Sequence, residues 1–206
     1  AIASPADLEL AGITAETPDP QGGVIDRDQQ GEPTGILRDG AIDLVMKFMP
    51  EESETELMRN LETSQNYLLE RGVTSVGDMI YDMNHFRFLQ DMARQGKLKV
   101  RVTAYTPILK WTEMKSLLKD GIYEDEYFQY KGLKGFSDGS LGSHTALMLE
   151  SYEDSPDSAG IYDGDWKDVM LIRETIAEAD KMGFQSVIHA IGDRAVREVL
   201  DVFEDV

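Results

Sequence analysis

The sequence predicts an α/β fold with a parallel β-sheet. Three observations support this fold class. Amphipathic stretches with helical spacing alternate with short β-branched stretches, several of the helical stretches end at a glycine, and the alternation continues from residue 53 to residue 204. Strands that alternate with helices are joined by right-handed crossovers, which produce parallel sheets. The periodicity does not distinguish an open, doubly wound sheet from part of a barrel.

The first fifty residues differ from the rest and are predicted to form an insertion or cap. They are rich in turn-forming residues, and the stretch 22–39 predicts a β-hairpin that turns near Gln30 and Gly31. A short helix is expected at 42–48. We therefore divide the chain into a cap at 1–50 and a catalytic domain at 51–206.

The repeating part begins with a helix at Ser53. Ser53 and Glu56 have the spacing of a capping box, and Gly72 supplies the left-handed residue that ends the helix. A strand is predicted at 73–79. The apolar face of this helix is expected to contain Leu57, Leu61, Ser64 and Leu68.

Three further helix-and-strand units and a final helix follow. The next helices are predicted at 84–95 and 112–119, and the strands at 100–105, 133–137 and 185–189. The fourth helix is expected to be capped by Asp165, with Asp168 three positions on, and to have Val169, Ile172, Ile176 and Ala179 on one face. The last helix, 193–204, is expected to bury Val196, Val199, Leu200 and Phe203.

Composition excludes several functions. Lys and Arg number 20 against 39 Asp and Glu, which gives a formal net charge of -19. Nucleic acids and anionic membranes require a basic surface, so neither is expected as a partner. The chain has no cysteine, which excludes thiolate metal sites and cysteine nucleophiles. No stretch approaches the ~20 apolar residues of a membrane helix, and no signal peptide is recognised, so a cytoplasmic location is expected.

Two segments place distinctive side chains near the ends of predicted strands, where parallel α/β folds bind ligands. The segment 133–143 contains Lys134, and the segment 187–195 contains His189. Both segments resemble the signature motifs of amidohydrolase family 3, in its YtcJ-like and N-substituted formamide deformylase group. The segments 10–14, 31–35 and 72–76 are also similar to family segments, so the resemblance covers nearly the whole chain.

The resemblance implies a partial TIM (β/α)8 barrel that contains strands two to five with their helices. Lys134 would end strand four and His189 strand five, and both would bind a divalent metal, with zinc expected first. Lys134 would carry a carboxylate, since a bare lysine only donates hydrogen bonds. The implied reaction is hydrolysis of an amide-type carbon–nitrogen bond outside peptides by a metal-activated water. The expected substrate contacts are Asp138, Ser140, His144 and Asp193.

Departures from the family pattern predict an incomplete site. The family supplies an H-x-H pair on strand one, a histidine on strand six and an aspartate on strand eight. This chain has three histidines, His85, His144 and His189, and none belongs to such a pair. His144 stands where the family has an arginine. We therefore interpret the chain as an internal piece of the enzyme and expect little or no activity from it alone.

Each candidate residue also has a structural explanation. Lys134 could be a surface lysine, and His189 a core histidine bonded to backbone. Asp138 could simply shape a turn together with Gly139 and Gly142. For Asp193, helix capping is preferred to catalysis.

Two other functions are compatible with parts of the sequence. Residues 135–139 fit G-x-S-x-G, the nucleophile elbow of serine hydrolases, with Ser137 as nucleophile. However, the elbow requires a helix directly after the serine, and Gly139 and Gly142 predict a loop. The second alternative is a non-catalytic module that binds a small ligand or a partner. Half a barrel exposes sheet edges, so self-association is expected as well.

Overall fold

The computed structural model describes residues 1–50 and 52–206. Its α-helices are α1 (Pro5–Ala11), α2 (Asp43–Met46), α3 (Glu54–Glu70), α4 (Met83–Arg94), α5 (Trp111–Asp120), α6 (Val169–Lys181) and α7 (Asp193–Glu204). Its strands are β1 (Gly23–Arg27), β2 (Pro33–Asp39), β3 (Ser75–Met79), β4 (Arg101–Pro107), β5 (Phe128–Phe136) and β6 (Gln185–His189). Across these residues, no helix is long and apolar enough to cross a bilayer.

The strands form two sheets. β1 and β2 make an antiparallel hairpin, and β3, β4, β5 and β6 follow one another in a four-stranded sheet. The β3–β4 and β4–β5 pairs are parallel, with helices in the connections. The predicted α/β fold with a parallel sheet is therefore confirmed, as part of a TIM-type barrel with an additional hairpin.

Residue contacts divide the chain into two compact units. The first contains residues 1–50, 136–169 and 189–205, and the second contains 51–135, 170–188 and 206. Glu51, the first residue of the predicted catalytic domain, lies outside the described residues. The division into a cap and a catalytic domain stays a prediction.

Aromatic side chains fill the core of the second unit. Phe86 of α4 packs edge-on against Phe128 and Tyr130 of β5, with ring centroids 5.6 and 5.7 Å apart. Each such pair contributes about 0.5–1.5 kcal/mol beyond the apolar area it buries. Because β4 alternates between buried and less buried residues, one of its faces joins this core.

Helix α3 begins as the sequence predicted. The Ser53 side chain accepts a hydrogen bond from the Glu56 amide, and the Glu56 carboxylate accepts one from the Ser53 amide. Gly72 has a left-handed φ of 76°. The predicted apolar face borders a cavity of about 640 Å³ in the second unit, which is lined on this side by Leu57, Leu61, Ser64 and Leu68.

The first unit contains a helix that was not predicted. Ser4 and Asp7 form a capping box that starts α1, and Gly12 ends it with a φ of 67°. A small apolar core lies under the β1–β2 hairpin and consists of Ile13, Ile25, Leu37 and Ala41. The S-x-x-D spacing at Ser4 was the signal that could have identified α1.

The predicted cap of α6 at Asp165 and part of the predicted core face of α7 are wrong. The Asp165 carboxylate accepts a hydrogen bond from the Phe136 amide at 3.0 Å, and a 3-10 helix at Gly164–Lys167 precedes α6. Asp165 is therefore bound to the end of β5 and does not cap α6. In α7, three residues expected in the core are exposed: Val196 by 41%, Leu200 by 58% and Phe203 by 40%.

The orientation of α7 about its own axis determines which of its residues are exposed. The buried residues are Ala195, Val199 and Val202. At the start of the helix, the Ala195 amide donates to the Leu147 carbonyl at 3.3 Å. This contact turns the stripe of smaller residues inward, so the larger apolar side chains face outward.

Candidate functional site

The two expected metal ligands lie near the ends of neighbouring strands. Lys134 lies two residues before the end of β5, and His189 is the last residue of β6. Lys134 is half-buried, and the His189 side chain is 28% exposed. In parallel α/β folds, this edge of the sheet is where ligands bind.

Residues 137–139, which follow β5, contact both the backbone carbonyl and the ring of His189. The Ser137 amide and hydroxyl both donate to the His189 carbonyl, at 3.0 and 2.6 Å. The His189 Nε2 atom lies 2.9 Å from the Gly139 carbonyl oxygen. Because a carbonyl only accepts, Nε2 carries the proton and Nδ1 keeps its lone pair in the neutral ring. His189 therefore presents one nitrogen that can bind a cation.

Asp138 is the buried centre of this arrangement. Its side chain is 0% exposed, and its carboxylate accepts hydrogen bonds from the Leu147, Ile191 and Gly192 amides at 2.8, 3.0 and 2.7 Å. Its Oδ1 lies 3.7 Å from His189 Nε2. Asp138 thus joins the loop after β5 to the turn after β6.

Two glycines of the motifs allow this close packing. A Cβ on Gly139 would lie 2.1 Å from Thr145 Oγ1, and a Cβ on Gly192 would lie 1.8 Å from the Leu147 carbonyl oxygen. Real Cβ atoms do not approach other atoms so closely. The glycines at these positions are therefore required by the approach of neighbouring chain segments.

Asp163, an acidic residue that the sequence did not single out, interacts electrostatically with His189. Burial, together with the Asp165 and Asp39 carboxylates, raises the pKa of Asp163 to about 6, against the lowering effects of the hydrogen bond from the Asp165 amide and of His189. The Oδ2 atom of Asp39 is buried and has no hydrogen-bond partner among the described residues. Asp39 and Asp163 are 124 positions apart in the sequence (163 minus 39), and only the fold reveals their proximity.

Removal of the Asp163 charge is expected to stabilise the chain at high pH. Its pKa in the folded state exceeds the ordinary 3.8, so its favourable contribution is present below pH 4 and is lost as pH rises through 6. Asp163→Asn keeps an oxygen that can accept from the Asp165 amide. We expect the variant to gain roughly 1–2 kcal/mol over the wild type at pH 8, after allowance for partial solvation, and nothing at pH 4. Urea unfolding at both pH values measures this; an equal difference at both would contradict it.

Asp39 has a strained backbone, and its replacement by glycine is expected to raise stability. Its φ of 46° and ψ of -126° are close to those of the first central residue of a type II′ turn, where glycine predominates. Asp39→Gly removes this strain and the unpartnered oxygen, for a net gain of about 1 kcal/mol. Thermal unfolding measures the gain. Asp43→Gly is the control and should lower stability, because Asp43 has an ordinary helical φ of -63°.

The remaining expected substrate contacts are bonded to nearby groups. Ser140 is exposed, and its hydroxyl lies 2.7 Å from that of Ser143. His144 has a left-handed φ of 55°, and its Nε2 lies 3.0 Å from an Asp154 oxygen. Asp193 Oδ1 accepts from the Leu149 amide at 2.8 Å. The substrate roles of Asp138, Ser140, His144 and Asp193 stay predictions.

The geometry does not support Ser137 as a nucleophile. Ser137 is fully buried, and its hydroxyl donates to the backbone carbonyl of His189, not to the ring. A short 3-10 helix at Leu141–Ser143 follows the serine after a loop, so the elbow helix is missing there. A serine hydrolase would require the imidazole to accept the hydroxyl proton.

The side chains of His189 and Lys134 meet the requirements of a divalent cation only in part. The free Nδ1 of His189 is a suitable ligand, and its Nε2–H is held by a carbonyl, as is usual for metal-binding histidines. Lys134 can bind a cation only after carboxylation, since an ammonium group has no acceptor. Within residues 1–50 and 52–206, no group of three or more His, Asp or Glu side chains is arranged to hold a metal ion.

Comparisons with known proteins agree with these motifs. The chain is 36% identical to the protein LONG AFTER FAR-RED 3 of Arabidopsis thaliana, 33% to the amidohydrolase-type protein YtcJ of Bacillus subtilis and 28% to an N-substituted formamide deformylase of Arthrobacter pascens. These matches cover 100%, 97% and 100% of this chain, but only 37%, 37% and 39% of the relatives. The chain therefore spans well under half of their length.

A solved structure and a family model lead to the same assignment. The structure of an uncharacterized metal-dependent hydrolase from Pyrococcus furiosus is 31% identical, with a TM-score of 0.74 over 98% of this chain and 40% of that one. A family model described as "Amidohydrolase family" matches residues 1–206. The chain belongs to the amidohydrolase family.

Proposed function

We propose that this chain is part of a metal-dependent hydrolase that cleaves amide-type carbon–nitrogen bonds outside peptides. The observation that carries the proposal is the state of His189, which lies at the end of β6 with Nε2–H bonded to Gly139 and Nδ1 free. The family match and the metal-dependent hydrolase from Pyrococcus furiosus support the same function.

In the proposed mechanism, His189 would hold the cation through Nδ1, and Lys134 would hold it through an added carboxylate. A bound divalent ion, with zinc as the first choice, would supply a water with a pKa of roughly 7. The Gly139 carbonyl holds the imidazole through Nε2, and Ser137 holds the backbone carbonyl of His189, so the ligand geometry is prepared in advance. Ser140 and His144, on the loop after β5, are proposed to contact the substrate.

A zinc titration tests the proposed role of His189. Two-bond proton–nitrogen NMR spectra of the chain are recorded as zinc is added, and the His189 ring signals should change before those of the other two histidines. His189→Gln should abolish this change. His85→Gln is the matched control, because His85 lies on α4 with a 41% exposed side chain. Equal zinc binding by wild type and His189→Gln would disprove the metal role.

Carboxylation of Lys134 is tested with ¹³C-labelled bicarbonate. A carbamate signal is expected in the wild type and should disappear in Lys134→Arg. Lys131→Arg is the control, since Lys131 is an exposed lysine of the same strand. A carbamate signal that persists in Lys134→Arg would contradict the assignment.

We also propose that the chain alone does not turn over substrate, because its own residues supply too few metal ligands. The 206-residue chain should show no hydrolysis of N-substituted formamides with zinc, manganese or cobalt. Metal-stimulated turnover by the chain would contradict this proposal.

Self-association is proposed from two exposed features. β3 and β6 are the outer strands of the four-stranded sheet, and α7 exposes Leu200 and Phe203. Unpaired strand edges and apolar patches favour contacts with a second chain. Light scattering at micromolar concentration should give a mass above that of the monomer, and a monomeric mass would contradict the proposal.

A further inference from the structure

The carboxylate of Asp138 is fixed in position by three backbone donors. Leu147 and Gly192 donate to Oδ2, and Ile191 donates to Oδ1. Three donors on two oxygens leave the group no freedom to rotate, and its 0% exposure removes contact with solvent. The protein therefore holds an acceptor group at a defined point, with limited screening by water.

This group faces one edge of the His189 ring. Asp138 Oδ1 lies 3.7 Å from Nε2, too far for a good hydrogen bond and close enough for a strong electrostatic interaction. A negative oxygen at this distance favours a proton on the nearer nitrogen. The Gly139 carbonyl, 2.9 Å from Nε2, accepts that proton in a hydrogen bond.

We infer that Asp138 is a positioning residue that acts with the Gly139 carbonyl to favour the Nε2–H tautomer of His189 and so leaves Nδ1 as the metal-binding atom. The inference deepens the proposed function and rests on it for the role of Nδ1. Asp138 also bonds the two amides that follow the histidine by two and three residues. One buried side chain thus controls both the protonation pattern of the ring and the path of the backbone beside it.

The tautomer can be measured directly in the metal-free chain. The sequence has three histidines, so the ring signals can be assigned with His85→Gln and His144→Gln. Two-bond proton–nitrogen spectra at pH 8 should show His189 as the Nε2–H tautomer. In Asp138→Asn, an Nδ1–H population should appear, and zinc affinity should fall by about 10- to 100-fold.

Ser137→Ala is the matched control. It removes a hydrogen bond to the His189 carbonyl and leaves the charge beside the ring unchanged, so the Nε2–H tautomer should persist. A general loss of structure would not produce this contrast between the two variants.

The outcomes separate the inference from the proposed function. An Nδ1–H tautomer in the wild type would overturn the inference even if Asp138→Asn does not fold, and so would an unchanged tautomer in a folded Asp138→Asn. An Nε2–H tautomer that depends on Asp138, together with no response of Nδ1 to zinc, would support the positioning role and refute the metal function.

Discussion

Replacement of Asp138 by alanine is expected to lower the free energy of unfolding by roughly 4 kcal/mol. The Leu147, Ile191 and Gly192 amides would lose their acceptor in a buried region. Each unsatisfied buried amide costs about 1–3 kcal/mol, and partial relaxation keeps the total below the sum. Losses of this size are rare among single substitutions.

Urea unfolding of the 206-residue chain measures this loss. Asp193→Ala is the matched control, because Asp193 is an exposed aspartate whose carboxylate accepts from the Leu149 amide. The control should cost about 1 kcal/mol or less. If both variants lost the same amount, the buried Asp138 would have no special structural role.

Gly192→Ala is expected to destabilise the chain by roughly 3 kcal/mol or more. The added methyl group would lie 1.8 Å from the Leu147 carbonyl oxygen, and the nearest atoms all belong to backbone. A backbone cannot move aside by a rotamer change, so the strand-to-helix turn or the Leu147 segment must shift. Such a shift would also disturb the bond from the Gly192 amide to Asp138.

Gly142→Ala provides the comparison for this prediction. Gly142 lies on the same loop system, and a Cβ there would meet nothing within 4 Å. Its unfolding midpoint in urea should stay close to that of the wild type. A Gly192→Ala variant as stable as Gly142→Ala would mean that the close approach at Leu147 is not required.

Local signals in the sequence were sufficient for several elements. The capping box at Ser53 and the glycine at Gly72 determined α3, because both act through neighbours within one turn of helix. The strand at Gln185–His189 and the helix at Asp193–Glu204 were predicted with their observed bounds. Both segments carry strong local patterns.

Other features depend on contacts between distant residues. Asp165 resembles a helix cap in sequence, but the Phe136 amide, 29 positions earlier, is its observed partner. The inward face of α7 is set by its contact with Leu147, and periodicity could not choose between two overlapping apolar stripes. β5 begins at Phe128 rather than 133, and the alternation of buried Phe128 and Tyr130 with exposed polar residues was the strand signal that the prediction missed.

The candidate site was only partly predictable for the same reason. The two motifs identified Lys134 and His189 by resemblance, whereas the contribution of Asp39 came only from the fold. Asp39 is the last residue of β2, and no local pattern relates it to Asp163, which lies 124 positions later (163 minus 39).

The loop between Met148 and Ala159 is closed at its base by a hydrogen bond of 2.8 Å between those two residues. Its tip contributes nothing to the bonds that orient His189. We therefore expect an insertion within residues 150–157 to leave the position of the His189 imidazole unchanged. The segment in which insertions are expected to be tolerated is thus separate from the residues that hold His189.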